Sequence, residues 1–227
     1  METPVQQRLN ITFGKSGALK YIGHLDVAKV WERVLRRADL PILYTQGFNT
    51  RPRMQLASAL PLGITSECEI LDVALREKIA LEGVAERITG VSPDGLRTYQ
   101  VEAVAIDGPP LQPLVISSEY RIHLEDDHDQ ADIKAAVAGL MEQDRIVKVK
   151  TRKNTKRKST FDLRSMIYDL YVDDQGDIIA HLAAGERGNL HPRDLMEELG
   201  YADAFYSIHR FRLHLDDYYD RLKGGQG

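Results

Sequence analysis

The chain has 227 residues, enough to bury a substantial core as one large domain or two small ones. Its 43% hydrophobic and 28% charged content are globular values, and no apolar run approaches the roughly 20 residues of a membrane span. A single cysteine, Cys68, excludes an internal disulfide and any multi-cysteine cluster, and METPVQQRLN lacks a signal-peptide core, so the expected compartment is the cytoplasm.

Leu9, Ile11 and Phe13 alternate with polar residues and predict a first strand. A helix follows over 24–38. Val27, Trp31, Val34, Leu35 and Ala38 recur at three- and four-residue spacing and give it one apolar face. Asp26 falls in its first turn, where an acid complements the helix dipole. Lys29, Arg33, Arg36 and Arg37 fall mainly off the apolar face, and Pro41 stops the helix. Short strands are expected at 42–44 and 68–75, on either side of a Gly/Pro-rich loop, and Cys68 is expected to be a buried structural thiol. A second helix is expected over 77–89 and another strand over 96–106. The element order is then β-α-β-β-α-β, the ferredoxin-like arrangement.

A Pro-rich stretch, 108–113, separates this first unit (1–107) from a second (114–220) of similar order. Its expected elements are a strand over 115–124, a helix capped by Asp129 and running to about 141, and a strand beginning at Ile146. A hairpin around Asp174-Gln175-Gly176 follows, then a short helix opened by Pro192 and a closing strand over 205–215. The expected fold class is α+β: two ferredoxin-like units with antiparallel sheets and helices on one face. The two halves share no sequence repeat, and the duplication rests on element order.

Charge is segregated. The net of −4 divides into about +5 over 1–60, −11 over 61–144, +8 over 145–164 and −6 over 165–227. A polyanion binder benefits from such a distribution. Two segments carry the positive charge. In the loop at 45–54, Gly47 permits unusual backbone angles, Asn49 tolerates the left-handed region, and Pro52 stiffens the turn. Arg51 and Arg53 therefore leave a constrained platform, suited to phosphate or carboxylate. The alternative is a tight connection whose arginines pair with acids of the same chain. The second segment holds Arg145, Lys148, Lys150, Arg152, Lys153, Lys156, Arg157, Lys158 and Arg164. It suits a sugar-phosphate backbone but has few aromatics for base stacking, and it could equally be a solvated hairpin loop.

No catalytic centre is legible. The seven histidines are scattered without metal-ligand spacing, so no metal site is expected, and no phosphate-binding glycine loop or nucleophile elbow is present. His24 is the one candidate for acid–base work because it opens the helix beside the arginine loop. It could equally cap the helix or pack under Tyr21.

The stretch Tyr21-Ile22-Gly23-His24-Leu25-Asp26, with Glu32 to Ala38, Leu40-Pro41, Tyr44, Gln46 to Asn49, Arg51-Pro52-Arg53 and Leu60-Pro61-Leu62-Gly63, resembles the radical SAM-linked protein family. Ser66, Glu69 and a later Asp162-Leu163-Arg164 add to the likeness. That family is encoded beside, or fused to, uncharacterised radical SAM proteins and has no established activity. The resemblance implies a radical SAM protein as partner. The iron–sulfur cluster and SAM would belong to that partner, because one cysteine cannot hold such a cluster. It implies no cofactor in this chain. Three functions follow as expectations. The first is a non-catalytic RNA-binding or substrate-presenting partner in RNA modification or processing, with Arg33, Arg36, Arg37, Asn49, Arg51, Arg53 and the 145–164 cations on the ligand. The second is a metal-independent RNA-processing endonuclease using His24, and the third a protein-interaction scaffold.

Overall fold

The structure, a computed structural model, describes residues 4–151, 158–186 and 188–223. The chain divides into two compact units: Met1–Val115 with Leu213–Gly227, and Ile116–Arg212.

In the first unit the elements run β1 (Gln7–Lys15), α1 (His24–Arg37), β2 (Met54–Leu56), β3 (Thr65–Leu75), α2 (Val84–Val91) and β4 (Leu96–Val104). The strand order is β4-β1-β3, with β2 on the far side of β3, and the paired strands are antiparallel. This 4-1-3-2 order is the one a β-α-β-β-α-β chain adopts when each helix crosses over one strand, so the expected arrangement is present. One face of the sheet supplies Leu9, Ile11, Phe13, Leu71, Val73 and Leu75 to a core shared with Val27, Trp31, Val34 and Leu35 of α1 and Val84 and Ile88 of α2. Trp31 is fully buried and meets Phe13 edge-on, with ring centroids 4.8 Å apart. The predicted apolar face of α1 is the one that packs.

Two expectations need correction. The second helix begins at Val84, not at 77, because Gly83 sits at φ +70° and breaks the helical path there. Residues 42–44 do not form a strand. Ile42 and Tyr44 make only isolated bridges, to Leu75 and Pro52, and the second ladder strand is Met54–Leu56. The face of β1 turned away from the core is covered rather than open. Arg8 binds both carboxylate oxygens of Asp72, and it donates to the carbonyls of Gly108 (2.5 Å) and Pro109 (2.7 Å), clamping the Pro-rich stretch. Farther along the same face Asn10 Nδ2 donates to the Tyr219 hydroxyl at 3.1 Å, from the helix α5 (Tyr218–Lys223).

In the second unit β5 (Val115–Leu124) and α3 (Gln130–Met141) come first. A two-stranded ribbon follows, β6 (Val147–Thr151) with β7 (Lys158–Asp162). The chain then continues as β8 (Ile167–Val172), β9 (Ile178–Ala183), α4 (Pro192–Glu198) and β10 (Tyr206–Leu215). The strand order is β10-β5-β9-β8, again 4-1-3-2, with the ribbon inserted between the first helix and the second strand as a sheet of its own. Asp129 caps α3 by accepting from Ala131 N at 2.8 Å. Pro192 opens α4 behind a His191 cap, whose Nδ1 accepts from Arg193 N. Ile133, Val137 and Leu140 of α3 and Leu195 and Met196 of α4 are buried. No helix among the described residues is long and apolar enough to cross a membrane.

Candidate nucleic-acid interface

The arginine loop is a hairpin with a hydrogen-bonded base. Thr45 N donates to Arg51 O (2.8 Å), Arg51 N to the Thr45 hydroxyl (3.0 Å), and Arg53 N to Leu43 O (2.8 Å). Ala74 N then donates to Arg53 O at 2.9 Å, which ties the loop to β3. Gly47, at φ +130°, makes the reversal at the tip, where a side chain would be strained. Phe48, Asn49, Thr50 and Arg51 are exposed. The Arg51 guanidinium has no ion pair or hydrogen bond among the described residues. Arg53, although exposed, is not free, and it lines a separate cavity of about 320 Å³ with Arg8 and Asp72.

Tyr44 joins this loop to the helix. It stands at the loop base opposite Pro52, and its hydroxyl lies 3.5 Å from Glu32 Oε1 on α1. One turn beyond Glu32 is Arg36. Arg33, Arg36 and Arg37 are all exposed on the last turns of α1 and, like Arg51, have no ion pair or hydrogen bond among the described residues. Their i, i+3, i+4 spacing puts them on one side of the helix. The helix end is well closed despite an unusual residue. Asp39 takes the left-handed position at φ +53°, and Leu40 N reaches Leu35 O at 3.1 Å. The terminal carbonyls are thereby partly satisfied, and the two arginines of the last turn oppose the negative end of the dipole.

The three described cations of the second basic segment are spent differently. Lys148 Nζ lies 2.6 Å from Glu198 Oε2 and 3.9 Å from Glu197 Oε1, both on α4. Its ammonium is held above the usual lysine pKa by the Glu198 hydrogen bond. Arg164 donates to the carbonyls of Ile167 (3.0 Å) and Met141 (3.4 Å), joining the end of α3 to the start of β8. Arg145 stands 3.9 Å from Asp162. Alternation on β6 sends Lys148 toward α4 and leaves Val147 and Val149 exposed. Lys150 pairs with Ser159 and Lys158 with Thr151 across the ribbon; the placement of the Lys150 and Lys158 side chains, and all of Arg152, Lys153, Lys156 and Arg157, lie outside the described residues.

His24 is the first residue of α1 and is half-buried. It lines a cavity of about 10 Å³ with Phe13, Lys15, Ser58 and Glu69, room for about one water. Lys15 and Glu69 are buried, and Lys15 Nζ donates to the Ile22 carbonyl at 3.0 Å. Burial pushes the His24 pKa down, with Glu69 pulling it up and Lys15 adding to the fall. The imidazole is therefore neutral at pH 7. Sequence reasoning missed Lys15 and Glu69. Their signal was slight, because each sits in a strand where polar residues alternate with apolar ones. Cys68 is half-buried, its thiol 3.5 Å from the Ser66 hydroxyl.

Fold and surface together define an α+β protein with a ferredoxin-like order in each unit and, on the first, four exposed arginines that have no ion pair among the described residues. The chain belongs to the family described as "Uncharacterized protein conserved in bacteria (DUF2344)", whose model matches residues 8–192. That description names no enzyme partner. No curated protein matches the chain. Among solved structures, "Crystal Structure of a Cbf5-Nop10-Gar1 Complex" is similar at 15% identity and a TM-score of 0.46, over 92% of this chain and 50% of that one. "Crystal structure of the archaeal box H/ACA sRNP Nop10-Cbf5 complex" is similar at 15% identity and a TM-score of 0.44, over 92% and 49%. The chain thus spans about half the length of these structural relatives.

Proposed function

We propose that this protein is a non-catalytic RNA-binding partner, and that the arginine face of its first unit holds the RNA backbone. The observation that carries the reading is the state of four guanidiniums: Arg33, Arg36, Arg37 and Arg51 are exposed and uncommitted, on a buried-faced helix and a hydrogen-bonded hairpin. Planar forks on a rigid support suit phosphate, and counterion release makes such binding salt-dependent. The resemblance across 20–75 supports the further reading that the RNA is presented to a radical SAM enzyme for modification, in the cytoplasm.

Fluorescence anisotropy with a labelled single-stranded RNA across a salt series tests the reading. The wild type is expected to bind at micromolar or tighter affinity at low salt. Arg33→Ala with Arg51→Ala should weaken binding and flatten the log–log salt slope by about 1.4, because two fewer phosphates of the single strand are neutralised. No binding at low salt refutes the proposal. Co-purification from a native lysate tests the partner: recovery of a three-cysteine radical SAM protein supports that part, and its absence counts against it.

A further inference from the structure

Arg36 faces a concavity that the RNA-backbone reading does not use. A cavity of about 380 Å³ is lined by Arg36 from the last turn of α1, by residues 40–44, and by Arg76 just past the end of β3. The backbone of the 40–43 segment, Leu-Pro-Ile-Leu, is already satisfied: Leu43 N donates to Ala74 O (2.8 Å), and Pro41 O accepts from Arg76 N (2.9 Å). The Pro41 bond fixes where Arg76 leaves the backbone. The lining thus combines apolar residues, one aromatic ring and two cations, and the size falls in the range of small-ligand sites.

The two cations are available. Arg36 has no ion pair or hydrogen bond among the described residues. Arg76 has one neighbour, Glu77, at 3.3 Å, and both side chains are more than half exposed. An exposed pair of this kind is weak and yields readily to a better-placed anion. A lone phosphate would leave the apolar lining and Tyr44 without a partner. A nucleoside would leave both guanidiniums without one. Burial, then Glu32, pushes the Tyr44 pKa up, so the phenol keeps its proton at neutral pH and remains a donor.

We propose that this cavity is a nucleotide-sized subsite, which holds one phosphate between Arg36 and Arg76 and lays the attached nucleoside over Tyr44 and the 40–43 segment. The inference deepens the RNA-binding reading and rests on it for the choice of a nucleotide over another phosphate ester. On the RNA it would seat a single unstacked residue, the kind of feature by which single strands are told from duplex.

The test is a ¹H–¹⁵N NMR titration of the full chain with adenosine 5′-monophosphate, inorganic phosphate and adenosine as separate probes. The monophosphate is expected to shift the amides of 36–40, 42–44 and Arg76 in a saturable way, with each of the other two probes about tenfold weaker or more. Arg36→Gln with Arg76→Gln should abolish saturation while leaving the dispersed spectrum intact. Both side chains are solvent-facing, so the fold is expected to survive, and the wild-type titration already decides the matter without them. No saturable shift at 36–44, equal affinity for phosphate or adenosine, or binding unchanged by the double substitution would each overturn the subsite. RNA binding without monophosphate binding overturns the subsite alone. Monophosphate binding mapped to this cavity without RNA binding supports the subsite and refutes the RNA reading.

Discussion

The two basic segments, 24–53 and 145–164, look alike as sequence and differ as structure. In the first, Lys29 pairs with Asp26 at 3.0 Å and Arg53 is not free, but Arg33, Arg36, Arg37 and Arg51 form no ion pair with any acid among the described residues. In the second, Lys148 is taken by Glu198, Arg145 stands near Asp162, and Arg164 is spent on two carbonyls. A run of cations therefore says little about binding until the commitments of each cation are known. Charge density favours the second segment, and among the described residues uncommitted charge on a rigid support favours the first.

Substitutions can break or sharpen that contrast. The largest effect is expected at Trp31, which holds the arginine-bearing helix to the sheet. Trp31→Ala should cost about 3–5 kcal/mol in chemical denaturation, and a loss below about 1 kcal/mol would mean the helix is held some other way. Next is Arg164. Losing its bonds to Ile167 and Met141 leaves half-buried carbonyls without a donor, so Arg164→Ala should cost about 1–3 kcal/mol. Arg51→Ala, by contrast, should stay within about 0.5 kcal/mol of wild type. If the two substitutions cost the same, the contrast between committed and free cations fails.

Smaller effects sharpen the picture. Asp39 is the one non-glycine among the described residues with positive φ, and it closes the turn that presents Arg36 and Arg37. Asp39→Gly relieves the left-handed strain but frees the unfolded chain, so it should change stability by no more than about 1 kcal/mol, read as a small shift in thermal midpoint. Smallest is Lys148→Ala. Its pair with Glu198 is partly exposed and should contribute under about 1 kcal/mol, weakening further in high salt. RNA affinity should not change with it.

Much of this was readable in the chain. The face of α1 followed from 3.6-residue periodicity, and both β-α-β-β-α-β orders followed from runs bounded by Gly, Pro and Asp. The start of α2 was not readable, because 77–89 keeps a helical pattern while Gly83 adopts a left-handed angle that only the folded backbone reveals. Arg8 was missed for another reason. In QRLNITFGK the polar residues suggest a solvent face, yet β1 lies between β3 and β4 and is covered on both sides. Arg8, Asn10 and Lys15 are buried by partners 64 to 209 residues away or by a nearby loop, and no local spacing encodes those meetings. The arginine loop was legible as a constrained platform, but the availability of its guanidiniums depended on where the acids fall in space.

The most direct measurement of the central claim is RNA affinity by fluorescence anisotropy at low salt for two variants. One removes the uncommitted cations, Arg33→Ala, Arg36→Ala, Arg37→Ala and Arg51→Ala together. The other removes a committed one, Lys148→Ala. The account predicts that the first loses at least about tenfold in affinity and flattens the salt dependence, while the second matches the wild type. Equal affinity for the first variant and wild type, or a loss confined to Lys148→Ala, would contradict it.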